Sequence, residues 1–283
     1  MRTRAQGGHG DTATVGVFID AGSRYESAAT NGTAHFLEHM TFKVRRRRAR
    51  ARRRTRAAIR RRPPPAASPQ GTSKLSQHEF ELEFENMGGH LNAYTSREHT
   101  VFYAKVFKSD VPRALELLSD MLTTPKLDEA AVERERSVIL READEVATQQ
   151  EEVIFDMLHE TAYQGSSLGR TILGPEANIK AITKGDIEAY IRTHYTGPRV
   201  VVAAAGAVDH AALVGMADKA FGKLPASSKG GAAARIEPAP FTGSLLTHRD
   251  DTMPLAHVAF AFETGGWTNP HAVPLMIMQT LLG

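Results

Sequence analysis

The 283-residue chain contains no cysteine. Disulfide bonds, thiolate metal sites and cysteine nucleophiles are therefore excluded, and any metal must be bound by histidine or carboxylate side chains. Long apolar runs are also missing, since none approaches the roughly 18 residues that a membrane-spanning helix needs. Apolar residues still make up 41% of the chain and charged residues 24%, which is typical of a folded globular protein.

The net charge of +3 conceals an uneven distribution of arginine. Residues Val44 to Gln70 contain 12 arginines and no acidic residue, so the other 256 residues carry 23 basic and 32 acidic side chains, a balance of −9. The arginine-rich segment has no apolar periodicity and ends in a proline cluster, so it is expected to be unstructured. The rest of the chain is acidic.

The spacing of apolar residues predicts an α+β fold in two parts. Strands are predicted over 14–21, 90–94, 100–107, 199–206 and 256–263, and helices beginning at Thr30 or Asn31 and over 76–87, 111–123, 128–159, 183–195 and 209–221, the long helix broken near 148–150. A linker of small residues then predicts a domain over 1–230, interrupted by 44–70, and the beginning of a second, related α+β domain over 235–283. That second part is expected to be incomplete, because it has too few residues to close a core.

The first predicted helix carries the pattern H-x-x-E-H, formed by His35, Glu38 and His39. At 100° per residue, the two histidines lie one turn apart on the same helix face. Imidazoles placed in this way can hold a zinc ion, while the glutamate removes a proton from water in the open coordination position. A short motif can match by chance, but its place on a helix that follows a strand favours a metal site.

A third metal ligand must come from another part of the chain. The long helix offers four candidates: Glu133, Glu135, Glu142 and Glu145. Glu135 and Glu142 are seven residues apart and therefore share a helix face, so one could bind the metal while the other supports the site. Spacing alone does not choose between them, and an exposed charged helix face is the alternative for each.

Five segments in the same order resemble one known family. They are AGSRYE, NGTAHFLEHMTFK, GTSKLSQHEFELEFENMGGHLNAYTSREHT, ERERSVILREADEV and THYTGPRVVVAAAG. Together they resemble the inverted-zinc-motif peptidases of the pitrilysin family, and the resemblance covers almost everything except residues 1 to about 10 and Val44 to Gln70. It implies an antiparallel sheet packed with helices.

The resemblance also implies roles for individual residues in the metal site. His35, His39 and Glu142 would bind one Zn²⁺ per chain, Glu38 would be the general base, and Glu135 would support the metal site. The family's usual interval between the second histidine and the glutamate ligand is recovered when the 27 residues of the arginine-rich segment are left out of the 102 that separate them here. The segment is therefore interpreted as an insertion.

Substrate contacts are implied in the same way. Two carboxylates spaced i, i+4 can face one guanidinium, which suits the basic presequences that such enzymes cleave. Without the resemblance, the same residues would be interpreted as an acidic helix face, a core phenylalanine and the end of a strand. The residues implied are Glu152 and Asp156 for a substrate arginine, Phe42 for the pocket after the scissile bond, and Asn92, Ala93 and Tyr94 for an edge strand that pairs with the substrate.

The function implied by the resemblance is a zinc metalloendopeptidase that removes N-terminal presequences from proteins imported into mitochondria. Its expected partners are a processing peptidase α subunit and basic presequence peptides, in the mitochondrial matrix or at the matrix face of the inner membrane. One alternative is a non-catalytic core subunit of the cytochrome bc1 complex, and another is a fragment made inactive by the insertion and the incomplete second domain.

Three interpretations of the arginine-rich segment remain open. Its arginines could bind nucleic acid or an anionic membrane, or the segment could fold into the acidic cleft as a mimic of a presequence. It could also be a translated intron, since valine codons begin with GT, glutamine can be encoded by CAG, and the run PPPAASP uses mostly pyrimidine-rich codons. The third interpretation is preferred, and no nucleic-acid partner is expected.

Overall fold

The computed structural model describes residues 1–8, 10–42, 72, 74–228 and 236–282. The strands are β1 Arg2–Gly7, β2 Thr12–Ile19, β3 His90–Thr95, β4 Thr100–Phe107 and β5 Val200–Gly206. The helices are α1 Thr33–Phe42, α2 Gln77–Asn86, α3 Val111–Thr123, α4 Glu129–Val146, α5 Gln150–Ala162, α6 Glu176–Ala181, α7 Lys184–His194, α8 His210–Phe221 and α9 Ala272–Leu282. The predicted insertion, 44–70, and residue 235, the predicted start of the second domain, lie outside this part of the chain.

The five strands form one sheet in the order β1-β5-β2-β4-β3. Its β5-β2, β2-β4 and β4-β3 pairs are antiparallel, which confirms the α+β prediction. The edge pair is an exception, because β1 runs parallel to β5. Strand β1 was not predicted, and the reason is its composition: in the sequence RTRAQG only Ala5 packs against the core.

One face of the sheet is buried beneath helices. Alternate residues of β2, among them Val15 and Val17, are inaccessible to solvent, while Phe18 on the opposite face is 38% exposed. Helix α3 covers this buried face with an apolar stripe that includes Leu115 and Leu118, and it contacts β2, β4 and α8. The core therefore forms from apolar residues that alternate with a period of two in the strands and recur every three to four residues in the helix.

The long helix predicted over 128–159 is broken where expected. Helix α4 ends at Val146 and α5 begins at Gln150. Between them, the amide of Gln149 donates to the carbonyl of Val146 and the hydroxyl of Thr148 donates to the carbonyl of Glu145, so polar groups of the connection are satisfied locally. The break separates the proposed zinc ligand Glu142 from the acidic residues of α5.

Residues 236–282 contain one helix, α9. The strand predicted over 256–263 is wrong for the chain as described, because these residues form no strand and Phe260 and Phe262 are each 82% exposed. Apolar alternation alone does not produce a strand unless a second strand satisfies its backbone groups, and no described residue does so here. Among all the described helices, none combines the length and the apolar character that crossing a membrane requires.

Candidate metal centre

Helix α1 brings the two histidines of the H-x-x-E-H motif together. It contacts β3, α3, α4 and α7, so most of its surface is buried, and Phe36 and Leu37 are fully inaccessible. His35 and His39 are each 7% exposed, and their ring centroids are 4.4 Å apart. The apolar residues of the motif thus anchor the helix, while its histidines face α4.

Glu142 of α4 meets both imidazoles. Its Oε2 lies 3.0 Å from His39 Nε2 and its Oε1 lies 3.8 Å from His35 Nε2. One donor atom from each of the three residues can be chosen so that all lie within 4.8 Å of one another. Ligands about 2.0 to 2.1 Å from a tetrahedral zinc ion are separated by roughly 3.3 Å, so this donor set fits the ion.

Glu135 lies seven residues before Glu142 on α4, on the same face of the helix. Its Oε2 is 3.5 Å from His39 Nδ1, and the residue is 7% exposed. A carboxylate on the far nitrogen of a metal-binding imidazole orients the ring and favours the tautomer that presents the other nitrogen. The structure therefore places Glu135 beside His39, and the supporting role that the resemblance implies stays a prediction.

Glu38 is held by a residue that the sequence did not single out. The hydroxyl of Thr95, the last residue of β3, donates to Glu38 Oε2 at 2.6 Å. Burial raises the pKa of the Glu38 carboxyl, whereas the Thr95 hydrogen bond lowers it and nearby Glu142 raises it further. A carboxyl group with a raised pKa beside two imidazoles has the properties expected of a general base.

The start of α1 is capped by Glu26 rather than by Thr30 or Asn31. The Glu26 carboxylate accepts hydrogen bonds from the amides of Gly32 and Ala34, at 2.8 and 2.6 Å. The predicted cap, Asn31, instead donates its side-chain amide to Glu26 Oε2 at 2.9 Å. A carboxylate can bind free amides at a helix start from outside the usual cap position. Its negative charge also interacts favourably with the positive end of the helix dipole.

The residues predicted to bind substrate as an edge strand lie at the edge of the sheet. Asn92 and Tyr94 are exposed, and Ala93 is partly buried against the core. The Asn92 side chain donates to the Tyr103 hydroxyl on β4, and its Oδ1 accepts the amide of Ala93 at 2.9 Å. Strand β3 pairs only with β4 among the described strands, so its other edge is available to an extended peptide.

The two predicted arginine-binding acids on α5 differ in their surroundings. Glu152 is exposed and lines a cavity of about 300 Å³. Asp156 is already bound, because Arg97 Nη2 donates to its Oδ1 at 2.6 Å. The roles of both acids stay predictions. The side chain of Phe42, at the end of α1, lies outside the described part of the chain.

Three residues of this region were missed as functional candidates: Glu26, Thr95 and Arg97. Each stands inside a segment that carried the family resemblance, AGSRYE or HLNAYTSREHT. Nothing in their spacing relates them to the histidines, because Thr95 and Glu38 are 57 residues apart. The contact between Thr95 and Glu38 is revealed only by the packing of β3 against α1.

Comparison with known families gives two matches. The model of the family described as Insulinase (Peptidase family M16) matches residues 5–57 and 67–176. The model described as Peptidase M16 inactive domain matches residues 181–283. The gap in the first match, 58–66, falls inside the segment interpreted as an insertion.

Curated relatives agree with these matches. The chain is 51% identical over 283 residues to the mitochondrial-processing peptidase subunit beta of Rattus norvegicus, covering 100% of this chain and 52% of the relative. It is 52% identical over 272 residues to the protein of the same name from Homo sapiens, covering 96% of this chain and 50% of the relative. The chain thus spans about half the length of these curated relatives.

Solved structures share the fold at lower identity. A protease from Helicobacter pylori superposes with a TM-score of 0.67 at 22% identity, over 84% of this chain and 51% of the protease. A chain of Complex III2 from Candida albicans with Inz-5 bound gives 0.63 at 21% identity, over 89% of this chain and 50% of that one. At these identities the likeness concerns the fold alone. The family matches and the close relatives together establish that the chain belongs to the insulinase family of peptidases, peptidase family M16.

Proposed function

We propose that this chain is the catalytic part of a zinc metalloendopeptidase that removes N-terminal presequences from proteins imported into mitochondria. The observation that carries the proposal is the convergence of His35, His39 and Glu142 beside the partly buried carboxyl group of Glu38. A structural protein has no need to keep a metal-binding donor set and a base together. The similarity to the beta subunits of mitochondrial-processing peptidases supports the choice of substrate.

Zinc is the metal that we propose for the donor set. Two imidazoles and one carboxylate are typical of catalytic zinc sites, which leave a fourth position open. When bound, zinc supplies Lewis acidity, which lowers the pKa of a water molecule to about 7. His35, His39 and Glu142 would hold the ion, and Glu135 would orient His39.

The chain's own residues account for the proton transfers. Glu38 would take a proton from the attacking water and later give it to the leaving amine. Burial raises the pKa of Glu38, so its carboxylate is a stronger base than an exposed one. The Thr95 hydroxyl fixes the orientation of this carboxylate. An extended substrate paired with the free edge of β3 would run past the same threonine.

The proposed substrates are basic presequence peptides. Glu152 and Asp156 are spaced i, i+4 on α5 and would contact an arginine near the scissile bond. The proposed partner is the α subunit of the processing peptidase, and the proposed location is the mitochondrial matrix or the matrix face of the inner membrane. Phe42 is proposed for the pocket after the scissile bond, and Asn92, Ala93 and Tyr94 for pairing with the peptide.

Replacement of Glu38 tests the proposed activity. Glu38→Gln in the zinc-loaded protein, assembled with its α subunit, is expected to lower kcat on a presequence peptide by a factor on the order of 10² to 10⁴. Its zinc content should equal that of the wild type, because Glu38 is not one of the ligands. Glu188→Gln is the matched control, because this glutamate of α7 is partly exposed and its ion pairs with Lys184 and Arg192 are long, at 3.7 and 3.9 Å. Full activity of Glu38→Gln would refute the proposal.

The alternative of a non-catalytic subunit of the respiratory complex predicts a different result. Such a subunit would be metal-free and inactive in its assembly, whatever residue stood at position 38. The likeness to a chain of Complex III2 concerns the fold and does not favour this alternative. Measuring the zinc content of the wild-type assembly separates the two functions.

A further inference from the structure

Glu26 holds the start of the helix that carries the two histidines. The residue is 5% exposed, and its carboxylate accepts three hydrogen bonds, from the amides of Gly32 and Ala34 and from the side chain of Asn31. The amide of Ala34 is one of the first four in α1, which have no partner within the helix. Because His35 follows Ala34 directly, the carboxylate fixes the backbone immediately before the first proposed zinc ligand.

The backbone between Glu26 and α1 is also held by α6 and the connection before it. The side chain of Arg170 donates to the carbonyl of Glu26. Asn31 donates its side-chain amide to the carbonyl of Thr171 at 2.9 Å, and Asn178 donates to the carbonyl of Asn31 at 3.1 Å. Glu26 is therefore anchored through its own backbone while its carboxylate holds the helix.

The turn at Gly32 leaves little room for the start of α1 to shift. Gly32 has a φ of +105°, in the left-handed region that favours glycine. A Cβ atom at this position would lie 2.6 Å from the carbonyl oxygen of Leu173. The turn thus packs directly against the connection between α5 and α6, which limits the positions that the first turn of α1 can take.

His35 depends on the start of the helix more than the other residues of the motif do. It is the third residue of α1, whereas Glu38 and His39 lie in the next turn. Thr95 donates to Glu38 at 2.6 Å. Glu142 Oε2 lies 3.0 Å from His39 Nε2, but Glu142 Oε1 lies 3.8 Å from His35 Nε2. Because helix ends fray where their amides lack partners, the contacts that hold the first turn set the position of His35.

Resting on the zinc site proposed above, we infer that Glu26 is a positioning residue for His35. By holding the first turn of α1, it places this imidazole for metal binding before the metal arrives and so raises the affinity of the site for zinc. Glu26 acts through the backbone, not on the reacting atoms. A purely structural Glu26 would stabilise the fold and leave the zinc affinity of the folded chain unchanged, so the two roles differ in a measurable quantity.

The zinc affinity of Glu26→Gln tests this inference. Glutamine keeps the shape of the side chain but replaces one acceptor oxygen with a donor, so at least one of the three hydrogen bonds is lost. The assay is run at pH 8, above the pKa of about 7 that burial gives Glu26, so that the wild-type carboxylate is ionised. In the chain assembled with its α subunit, competition with a chelator is expected to give a zinc Kd roughly tenfold above that of the wild type. At saturating zinc, kcat on a presequence peptide should stay within about threefold of the wild type, because the bound metal then holds His35.

Two controls on α8 separate positioning from damage to the fold. Asp209→Asn alters another carboxylate that caps a helix, since Asp209 accepts the amide of Ala212 at 2.8 Å. Leu213→Ala removes a fully buried side chain from a helix that packs against β1 and α3, so it lowers the stability of the fold. Both variants should keep the zinc Kd within about twofold of the wild type, because neither changes a contact of Glu26.

Hydrogen exchange in the wild type gives a result that does not depend on whether a variant folds. After a chelator has removed zinc from the assembled protein, the amides of Gly32 and Ala34 should still exchange slowly, because the Glu26 carboxylate already binds them. Fast exchange without zinc that becomes slow with zinc would show that the metal itself orders the turn. That result would overturn the role of Glu26.

The zinc measurements also distinguish this role from the proposed function. Equal zinc Kd values for Glu26→Gln and the wild type would overturn the positioning role and leave the peptidase intact. Equal losses of affinity in Glu26→Gln and Leu213→Ala would do the same, because the loss would then follow stability alone. A wild-type assembly that binds no zinc would overturn both proposals.

Discussion

A strand residue, Thr95, orients the proposed base through a hydrogen bond of 2.6 Å to Glu38. Thr95→Val keeps the shape of the side chain and removes the hydroxyl, so kcat is expected to fall about tenfold with KM nearly unchanged. Thr95→Ser keeps the hydroxyl and should retain most of the activity. Steady-state kinetics with zinc analysis of each variant checks this. Unchanged kcat in Thr95→Val would show that the hydroxyl does not matter to Glu38.

Glu26 makes the stability of the protein depend on pH. Burial raises the pKa of its carboxyl group from 4.5 to about 7, although hydrogen bonds from Ala34, Asn31 and Gly32 oppose the change. Between pH 4.5 and about pH 7, Glu26 keeps its proton in the folded chain but has lost it in the unfolded chain. The free energy of unfolding therefore decreases as pH rises through this range. The total contribution is about 3 kcal/mol, at 1.36 kcal/mol per pKa unit.

Urea unfolding of the wild type and of Glu26→Gln from pH 4.5 to 8 measures this effect. Other titrating groups contribute equally to both proteins, so the difference between their free energies of unfolding isolates Glu26. The wild type should lose stability relative to the variant as pH rises to about 7, and the difference should then level off. A difference independent of pH would contradict the prediction.

At the scale of elements, the turn after β2 is closely packed against the turn that joins β3 to β4. A Cβ atom at Gly22 would meet the carbonyl oxygen of Ser96 and would lie 2.6 Å from that of Arg97. Gly22→Ala is therefore expected to lower the free energy of unfolding by about 1 to 3 kcal/mol and to reduce activity, because the second turn carries the contacts to Glu38 and Asp156.

Gly215→Ala on α8 is the matched control for this substitution. A Cβ atom there would meet nothing within 4 Å, and alanine favours a helix by about 1 kcal/mol relative to glycine. It should be neutral or stabilising and fully active. Thermal unfolding and kinetics of both variants compare the two sites. Equal stability of the two variants would show that the turns can separate without cost.

Local patterns predicted most of the elements, and the exceptions have physical causes. The apolar stripe of α3 and the alternation of β4 gave bounds that agree with the structure, because each buries one face. Strand β1 escaped prediction because its composition carries little apolar signal and its pairing partner, β5, lies almost 200 residues away. The histidine motif and Glu142 could be predicted from the family's motifs, whereas Arg97 could be found only from tertiary packing.

At the scale of the whole molecule, the arginine-rich segment 44–70 is the feature to which neither the sequence motifs nor the family resemblance assigns a role. It begins two residues after Phe42, the end of the helix that carries the histidines. Because displacements of about 1 Å can strongly affect catalysis, deletion of Val44 to Gln70 is expected to raise kcat/KM on a presequence peptide. Stability should change little, since the cost of closing a loop grows slowly with its length.

A variant of equal length with the 12 arginines replaced by glutamine separates charge from length. If the segment mimics a presequence, this variant should be as active as the deletion; if its length disturbs the site, only the deletion should gain activity. Equal turnover of the deletion and the intact chain would contradict the expectation. Sequencing of mature transcripts across Lys43 to Gly71 tests the interpretation as a translated intron.

The short turn after β3 has a further consequence for how such a peptidase can change. Thr95 contacts the proposed base and Arg97 contacts the acid proposed to bind substrate, and both depend on one backbone segment. A substitution that shifts this segment would alter substrate choice and turnover together. Exposed positions of α5 such as Glu152 escape this coupling. Laboratory evolution toward new cleavage sites should therefore accumulate changes on α5 first and leave the turn untouched.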